Sequence, residues 1–226
     1  MIPFKFYDSF DNYKVDPSLI GQQVYAFKKY DGQNFVVKYS VKRAEFQLFG
    51  SRTQLIDESD PMFGKAVVLF KTAIANELAA KVKKEVKKKN SVFENTNEIE
   101  FYFEYVGEHS FCGSHDANDE MQLVLIDIFI NKKGYIEPKK FCEFTGGMTI
   151  PVAELIYKGK LTKDFIHSIE NNDWTASNPA FPTVKEGVVC KKTTRDGTWL
   201  KKTKVKTFWW LNKLKERYPD EWEILE

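Results

Sequence analysis

Two apolar runs, Val24-Tyr25-Ala26-Phe27 and Phe35-Val36-Val37-Lys38-Tyr39, bracket the polar stretch from Lys28 to Asn34. Runs of this kind around an Asp-Gly predict paired strands over 23–29 and 35–40, with Gly32 taking the positive φ of a tight hairpin turn. Phe46 to Phe49 predicts another short strand, ending at Gly50-Ser51-Arg52-Thr53. The period then changes. Val67, Val68, Phe70, Ile74, Leu78 and Val82 recur near helical spacing, which predicts one long helix from Gly64 to about Lys89. Asp60-Pro61 supplies a start for it and Asn90-Ser91 a stop. From Glu98 to Val106 the pattern alternates, with Ile99, Phe101, Phe103 and Tyr105 on one face and Glu98, Glu100, Tyr102 and Glu104 on the other, so a strand is expected. The run Gln122 to Ile130 is nearly all apolar around a lone Asp127 and reads as a buried central strand.

Residues 1–20 read as loop with a short strand or helix, and Gly134-Tyr135-Ile136 follows a turn. Residues 152–157 and 164–171 are short amphipathic segments, expected as helices, and 171–182 is a polar loop. Strands are expected over 184–191 and 199–207, joined by a turn at Arg195-Asp196-Gly197. From Phe208 to Glu226, aromatic residues and leucines at helical spacing predict a closing amphipathic helix. There Phe208, Trp209, Trp210, Leu211 and Leu214 read as core in preference to a base-stacking surface. Without repeats or a linker rich in Pro, Gly or Ser, 1–226 reads as one α+β domain of mostly antiparallel sheets with helices outside.

Composition narrows the class. With 42% hydrophobic and 15% aromatic residues in 226, the chain can bury a sizeable core. Net charge is only +2, so basic character is local: the run 81–89 (KVKKEVKKK), expected to be a solvated helix face, and eight Lys/Arg between Lys185 and Lys206. Three cysteines (Cys112, Cys142, Cys190), odd in number and widely spaced, argue against a disulfide framework or a zinc site and for a reducing compartment. The N-terminal residues MIPFKFYDSF lack a signal pattern and no apolar run approaches a membrane span. The expectation is a soluble, cytoplasmic protein with no membrane partner.

Five short stretches stand in order: Lys29-Tyr30-Asp31-Gly32, Ser51-Arg52-Thr53, Phe103-Glu104-Tyr105-Val106-Gly107, Glu186-Gly187-Val188-Val189 and Lys204-Val205-Lys206. This series resembles the covalent nucleotidyltransferase superfamily of ATP-dependent ligases and mRNA-capping enzymes, over residues 24 to about 210. The resemblance implies an ATP-grasp-like nucleotidyltransferase (adenylation) domain, in which a lysine attacks the α-phosphate of ATP and becomes lysyl-AMP. Lys29 is the implied nucleophile, with Lys204 and Lys206 catalytic and in contact with the nucleotide phosphates. Lysine is a weak nucleophile at neutral pH: with a pKa near 10.4, only about 0.04% is unprotonated. A lowered pKa is therefore expected from desolvation, a metal and the cations of Lys204 and Lys206. The resemblance further implies Arg52 on a sugar or phosphate, Glu104 on the ribose hydroxyls, and Phe27, Lys28 and Ile126 around the nucleotide. Glu186 is implied as a ligand for Mg²⁺ or Mn²⁺. At Ile126 relatives carry a ring that stacks on adenine, so this chain departs from the pattern there.

Within the superfamily, Asn34 occupies a place where DNA ligases carry Arg. The run Gly32-Gln33-Asn34-Phe35, the stretch from Phe103 to His115, and Phe63-Gly64 after Ser51-Arg52-Thr53 are similar to nick-sealing and RNA-editing ATP-dependent RNA ligases. The implied substrate is RNA, or a nicked duplex, with 5′-phosphate and 3′-hydroxyl ends; a phage or viral origin is compatible with the resemblance. The alternatives are a DNA ligase of minimal size, a GTP-using capping enzyme and a non-catalytic binding module on the same fold. Most relatives append an OB fold or helical module after the last lysine motif. About twenty residues remain here, so no such module is expected, which leaves room for a protein partner. His109 and His115 are assigned no role.

Overall fold

A computed structural model describes residues 6–107, 110–112, 118–178, 183–193 and 200–225. In chain order its strands are β1 (Gln23–Lys29), β2 (Gln33–Ser40), β3 (Glu45–Gly50), β4 (Leu55–Ile56), β5 (Glu98–Val106), β6 (Gln122–Ile130), β7 (Gly134–Tyr135), β8 (Leu155–Lys160), β9 (Gly187–Thr193) and β10 (Leu200–Lys206). The helices are α1 (Gly64–Leu69), α2 (Ala75–Glu85), α3 (Pro138–Thr145), α4 (Lys163–Glu170), α5 (Asp173–Ser177), α6 (Phe208–Arg217) and α7 (Trp222–Leu225), with a 3₁₀ turn at Pro17–Leu19.

The apolar runs become strands but divide between two antiparallel sheets, ordered β10-β9-β1-β8 and β4-β3-β2-β5-β6-β7. The expected hairpin is therefore absent. β1 pairs with β8 and β9, β2 pairs with β3 and β5, and Asp31-Gly32 carries the chain from one sheet to the other. Gly32 is not among the residues with positive φ. What demands glycine is close approach: a Cβ there would strike the Tyr105 carbonyl oxygen and come within 2.8 Å of Val106 Cγ1.

The helix expected over 64–89 forms in two pieces, α1 and α2, around a π-helical turn at Phe70–Ile74, and ends at Glu85. It begins at Gly64 rather than at Asp60-Pro61, after a turn in which Asp60 accepts the Met62 and Phe63 N–H groups. At the π turn the Thr72 hydroxyl donates to the Val68 carbonyl, competing with the regular ladder. Its apolar stripe of Val67, Phe70, Ile74, Leu78 and Val82 packs on one face of the larger sheet, against Phe35, Val37, Phe101 and Phe103.

Residues 152–157 are not a helix. Val152 bridges to Leu125, and Leu155 opens β8 on the edge of β1, where extended Ile156 and Tyr157 suit a half-buried strand. α4 forms as expected, capped by Thr162 on the Phe165 N–H. α3 was not foreseen, and α5 occupies part of the expected loop. The Arg195-Asp196-Gly197 turn, His109 and His115 lie outside the described residues.

Gly187 begins β9 between two neighbours, paired with Lys29 of β1 and Lys206 of β10, at φ 153°. A Cβ would collide with the Val205 carbonyl and lie 2.9 Å from Lys206 Cα. Gly187→Ala is expected to cost about 2 kcal/mol or more in urea unfolding, since both the backbone conformation and the space are wrong for alanine. A midpoint equal to wild type would mean that this strand end relaxes freely.

Candidate active site

A cavity of about 540 Å³ opens between the two sheets, and all the residues singled out in the sequence line it: Phe27, Lys28, Lys29, Arg52, Glu104, Ile126, Glu186, Lys204 and Lys206. From the smaller sheet come Lys29 at the end of β1, Glu186 just before β9, and Lys204 and Lys206 from β10, two residues apart and hence on one face. The larger sheet contributes Asn34 of β2, Glu104 directly opposite it on β5, and Ile126 of β6.

Lys29 Nζ lies 2.7 Å from Glu186 Oε1, and Glu186 is only 3% exposed. Burial pulls the Lys29 pKa down, but Glu186, Glu104 and Asp31 outweigh it and hold the ammonium above its ordinary value. The expected lowering by neighbouring cations is thus not what this arrangement produces: carboxylates, not lysines, surround the amine. Burial raises the carboxyl of Glu186 against the opposing pull of Lys29 and Lys206. It likewise pushes Glu104 up to about 7, with Lys29 and Arg52 pulling the other way. Asp31 is buried and accepts the Cys112 backbone N–H at 3.1 and 3.2 Å, tying the segment after β5 to the crossover behind Lys29.

Lys28 points away from Lys29, as alternation requires. Its Nζ is 3.4 Å from Glu154 and 5.1 Å from the centre of the Tyr30 ring, while its N–H donates to the Glu154 carbonyl. Phe27 is buried and meets Phe141 of α3 edge-on, so the unforeseen helix backs the pocket. Arg52 is exposed at the rim, on a loop shaped by Ser51, whose hydroxyl accepts the Thr53 and Gln54 N–H groups. Lys206 Nζ lies 3.8 Å from the Trp210 ring centre. Ile126 reaches the cavity because it is the extra residue of a bulge: Tyr102 pairs with Asp127 and Phe103 with Leu125, leaving Ile126 between them.

Among the described residues that line the cavity, Asn34, Glu186 and the Trp210 indole N–H have unused hydrogen-bonding capacity. Neither the Oδ1 nor the Nδ2 of Asn34 has a partner, and neither has Glu186 Oε2. Buried polar atoms left this way are costly unless something completes them. The free oxygen of Glu186 fits a divalent cation. Among the described residues no group of three His, Cys, Asp or Glu could hold a metal by itself. A hard cation completed by water and phosphate oxygens suits a site with one carboxylate.

Sequence reasoning missed the charge cluster beneath the pocket. Asp127 Oδ1 is 2.8 Å from Lys191 Nζ, Oδ2 is 2.9 Å from Lys202 Nζ, and the Tyr7 hydroxyl donates to Oδ2 at 2.5 Å. Lys191 also donates to the Ile126 carbonyl at 2.7 Å, holding the bulge. The signal was present in the lone Asp of an apolar strand, because a buried carboxylate requires a partner.

The family model for RNA ligase matches residues 22–203. The chain belongs to this family. No curated protein matches it. Among solved structures it is similar to the RNA ligase of Naegleria gruberi with pyrophosphate (17% identity, TM-score 0.59), covering 95% of this chain and 59% of that one. A lysine-to-alanine variant of the same ligase, with ATP and Mn, gives 17% identity and TM-score 0.61 over 96% and 58%. A chain described as an ATP-dependent DNA ligase from Aquifex aeolicus gives 14% and 0.60 over 98% and 57%. The chain thus spans somewhat under three fifths of the length of these structures. At such identities the likeness concerns the fold, an α+β nucleotidyltransferase domain of antiparallel sheets flanked by helices. Among the described residues no helix is long and apolar enough to cross a membrane.

Proposed function

We propose that this chain is an ATP-dependent RNA ligase that works through a lysyl-AMP intermediate on Lys29, with 1–226 acting as one adenylation domain. The observation that carries the reading is the Lys29–Glu186 pair at 2.7 Å in a cavity shared with Arg52, Glu104, Lys204 and Lys206. The Lys29 nitrogen attacks the α-phosphorus of ATP and gives up a proton; the bond to the bridging oxygen breaks and pyrophosphate leaves. Lys204 and Lys206 offset charge on the phosphoryl oxygens. Glu104 accepts from the ribose hydroxyls, and Arg52 contacts sugar or phosphate at the rim. Glu186 would hold Mg²⁺ or Mn²⁺, which supplies charge neutralisation at the phosphates when bound. A 5′-phosphate oxygen then takes the adenylyl group from Lys29, and a 3′-hydroxyl attacks the activated 5′-phosphorus and releases AMP. Asn34, with its unpaired amide in the same cavity as Lys29, supports a polynucleotide contact and with it RNA over DNA.

Two assays test this. Incubation with α-labelled ATP or GTP is expected to label the protein with ATP only; no band with either nucleotide overturns the proposal. Nicked duplexes carrying RNA or DNA on each side of the nick identify the substrate, and sealing is expected where the 3′-hydroxyl strand is RNA. Glu104→Ala should raise the KM for ATP in the labelling reaction at least about tenfold, the loss of hydrogen bonds to a charged acceptor. An unchanged KM would remove Glu104 from nucleotide binding.

A further inference from the structure

The aromatic run that follows the last lysine motif is split by the fold. Trp210, Leu211 and Leu214 of α6 are buried together with Cys112, the core role expected for the whole run. Phe208 and Trp209 are not: they remain 43% and 40% exposed in the first turn of α6, two and three residues beyond Lys206 of the cavity. Two adjacent exposed rings are expensive to leave in water.

A lysine lies against the first of them. Lys14 Nζ lies 5.6 Å from the centre of the Phe208 ring, and it also approaches Tyr13 and the carboxylate of Glu170, the latter at 3.4 Å. The N-terminal segment runs beside β10, with Asn12 bridged to Lys204 and the Tyr13 N–H donating to the Lys204 carbonyl, so Lys14 stands beside the strand that carries the cavity lysines. Two exposed aromatic rings with a lysine against one of them, just past the strand that carries Lys204 and Lys206, match what an unpaired nucleic-acid strand offers: π-faces spaced along a phosphate chain. A protein partner would account for the rings but not for their place directly after the strand that carries Lys204 and Lys206.

We propose that Phe208 and Trp209 form a stacking surface for unpaired bases of the polynucleotide substrate, with Lys14 beside its phosphates, directly after the strand that carries Lys204 and Lys206 of the Lys29 cavity. The inference deepens the ligase reading and rests on it for the identity of the strand.

The test is binding without ATP, using the full chain, a fluorescein-labelled single-stranded RNA, and an abasic strand of equal length and charge. Wild type is expected to hold the base-bearing strand about tenfold more tightly than the abasic one. The double variant Phe208→Ala/Trp209→Ala should lose that preference while binding the abasic strand as before, and Phe208→Tyr/Trp209→Phe should retain it. Equal affinity of wild type and the alanine variant for RNA overturns the inference, as does an equal loss for both strands, which would mark a structural role. A concentration-dependent rise in mass that the alanine variant abolishes, with RNA affinity unchanged, would identify a protein contact and also overturn it. A protein that takes no label from ATP yet shows the base preference would sink the ligase reading and leave the stacking surface standing; normal labelling without the preference would do the reverse.

Discussion

Lys29→Ala is expected to abolish the covalent label from α-labelled ATP, a loss of at least ~10³-fold in labelling rate, because no other group can form the phosphoramidate at that point. Lys29→Arg should fail equally: it keeps the charge facing Glu186 but has no amine that can shed its proton near neutral pH. Lys71→Ala, which removes an exposed ammonium paired with Glu58, should label like wild type. The contrast separates nucleophile from general positive charge. The geometry also says what the reaction must overcome. Glu186, Glu104 and Asp31 keep Lys29 protonated, so the amine attacks only after that proton is given up. Labelling rate should therefore climb with pH above neutrality, since the reactive fraction grows as the ammonium titrates. A Lys29→Ala protein that still labels would place the covalent nucleotide elsewhere and dismantle the proposed mechanism.

Which elements exist was largely legible in the sequence, because each rests on local periodicity. The strands over 23–29, 35–40, 98–106 and 122–130 and the helix stripe through Phe70 and Leu78 follow from positions two or about four residues apart. Which strands pair was not. Asp-Gly between two apolar runs satisfies the local rule for a hairpin, yet β1 and β2 enter different sheets, and the requirement at Gly32 is set by Tyr105, far away in sequence. The residues 152–157 failed for a related reason: six residues cannot distinguish periods, and the edge of β1 decides the matter.

The candidate site was legible for a different reason. Its members are named by short motifs whose spacing survives without knowledge of the fold, and the fold brings all nine to one cavity. What motifs cannot convey is the electrostatic balance among them. Lys204 and Lys206 were expected to dominate the field at Lys29, but Glu186 is nearer and buried. Asn34 gained a physical argument: an amide with neither atom paired, in the cavity that holds the amine. The Asp127 cluster was hidden because its lysines come from strands more than sixty residues away, and a lysine-rich β10 gives no sign that Lys202, on the same face as Lys204 and Lys206, ends on a buried carboxylate while Lys204 and Lys206 line the cavity.

Asp127→Asn should be among the most destabilising single changes in the chain, costing about 3–5 kcal/mol in urea unfolding, because it leaves two buried ammonium groups without a countercharge. The Lys191 and Lys202 side chains are each 4% exposed, and Lys202 is enclosed by the rings of Tyr7 and Tyr135 at 4.1 and 3.8 Å. The substituted amide would still offer an oxygen but no charge. Adding Lys202→Met should recover part of the loss, since a buried methionine does not demand a partner. The cluster also dictates how stability follows pH. Burial alone would raise the Asp127 carboxyl, but Lys191 and Lys202 outweigh it and hold the pKa below its ordinary value. A depressed carboxyl stabilises the fold above the unfolded pKa of about 3.9, and that contribution is lost as pH falls through the folded value. Lys202 acts at the other end. Burial pulls it down to about 8 despite Asp127, so between there and about 10.4 the unfolded chain binds the extra proton and stability rises with pH. Wild type should accordingly lose melting temperature below pH ~4, and Asp127→Asn should lose less over the same interval. Because Lys191 also holds the Ile126 carbonyl, the variant should bind ATP more weakly even where it remains folded. An Asp127→Asn protein as stable as wild type, with the same acid limb, would show that water reaches these lysines and that the cluster does not tie the two sheets together.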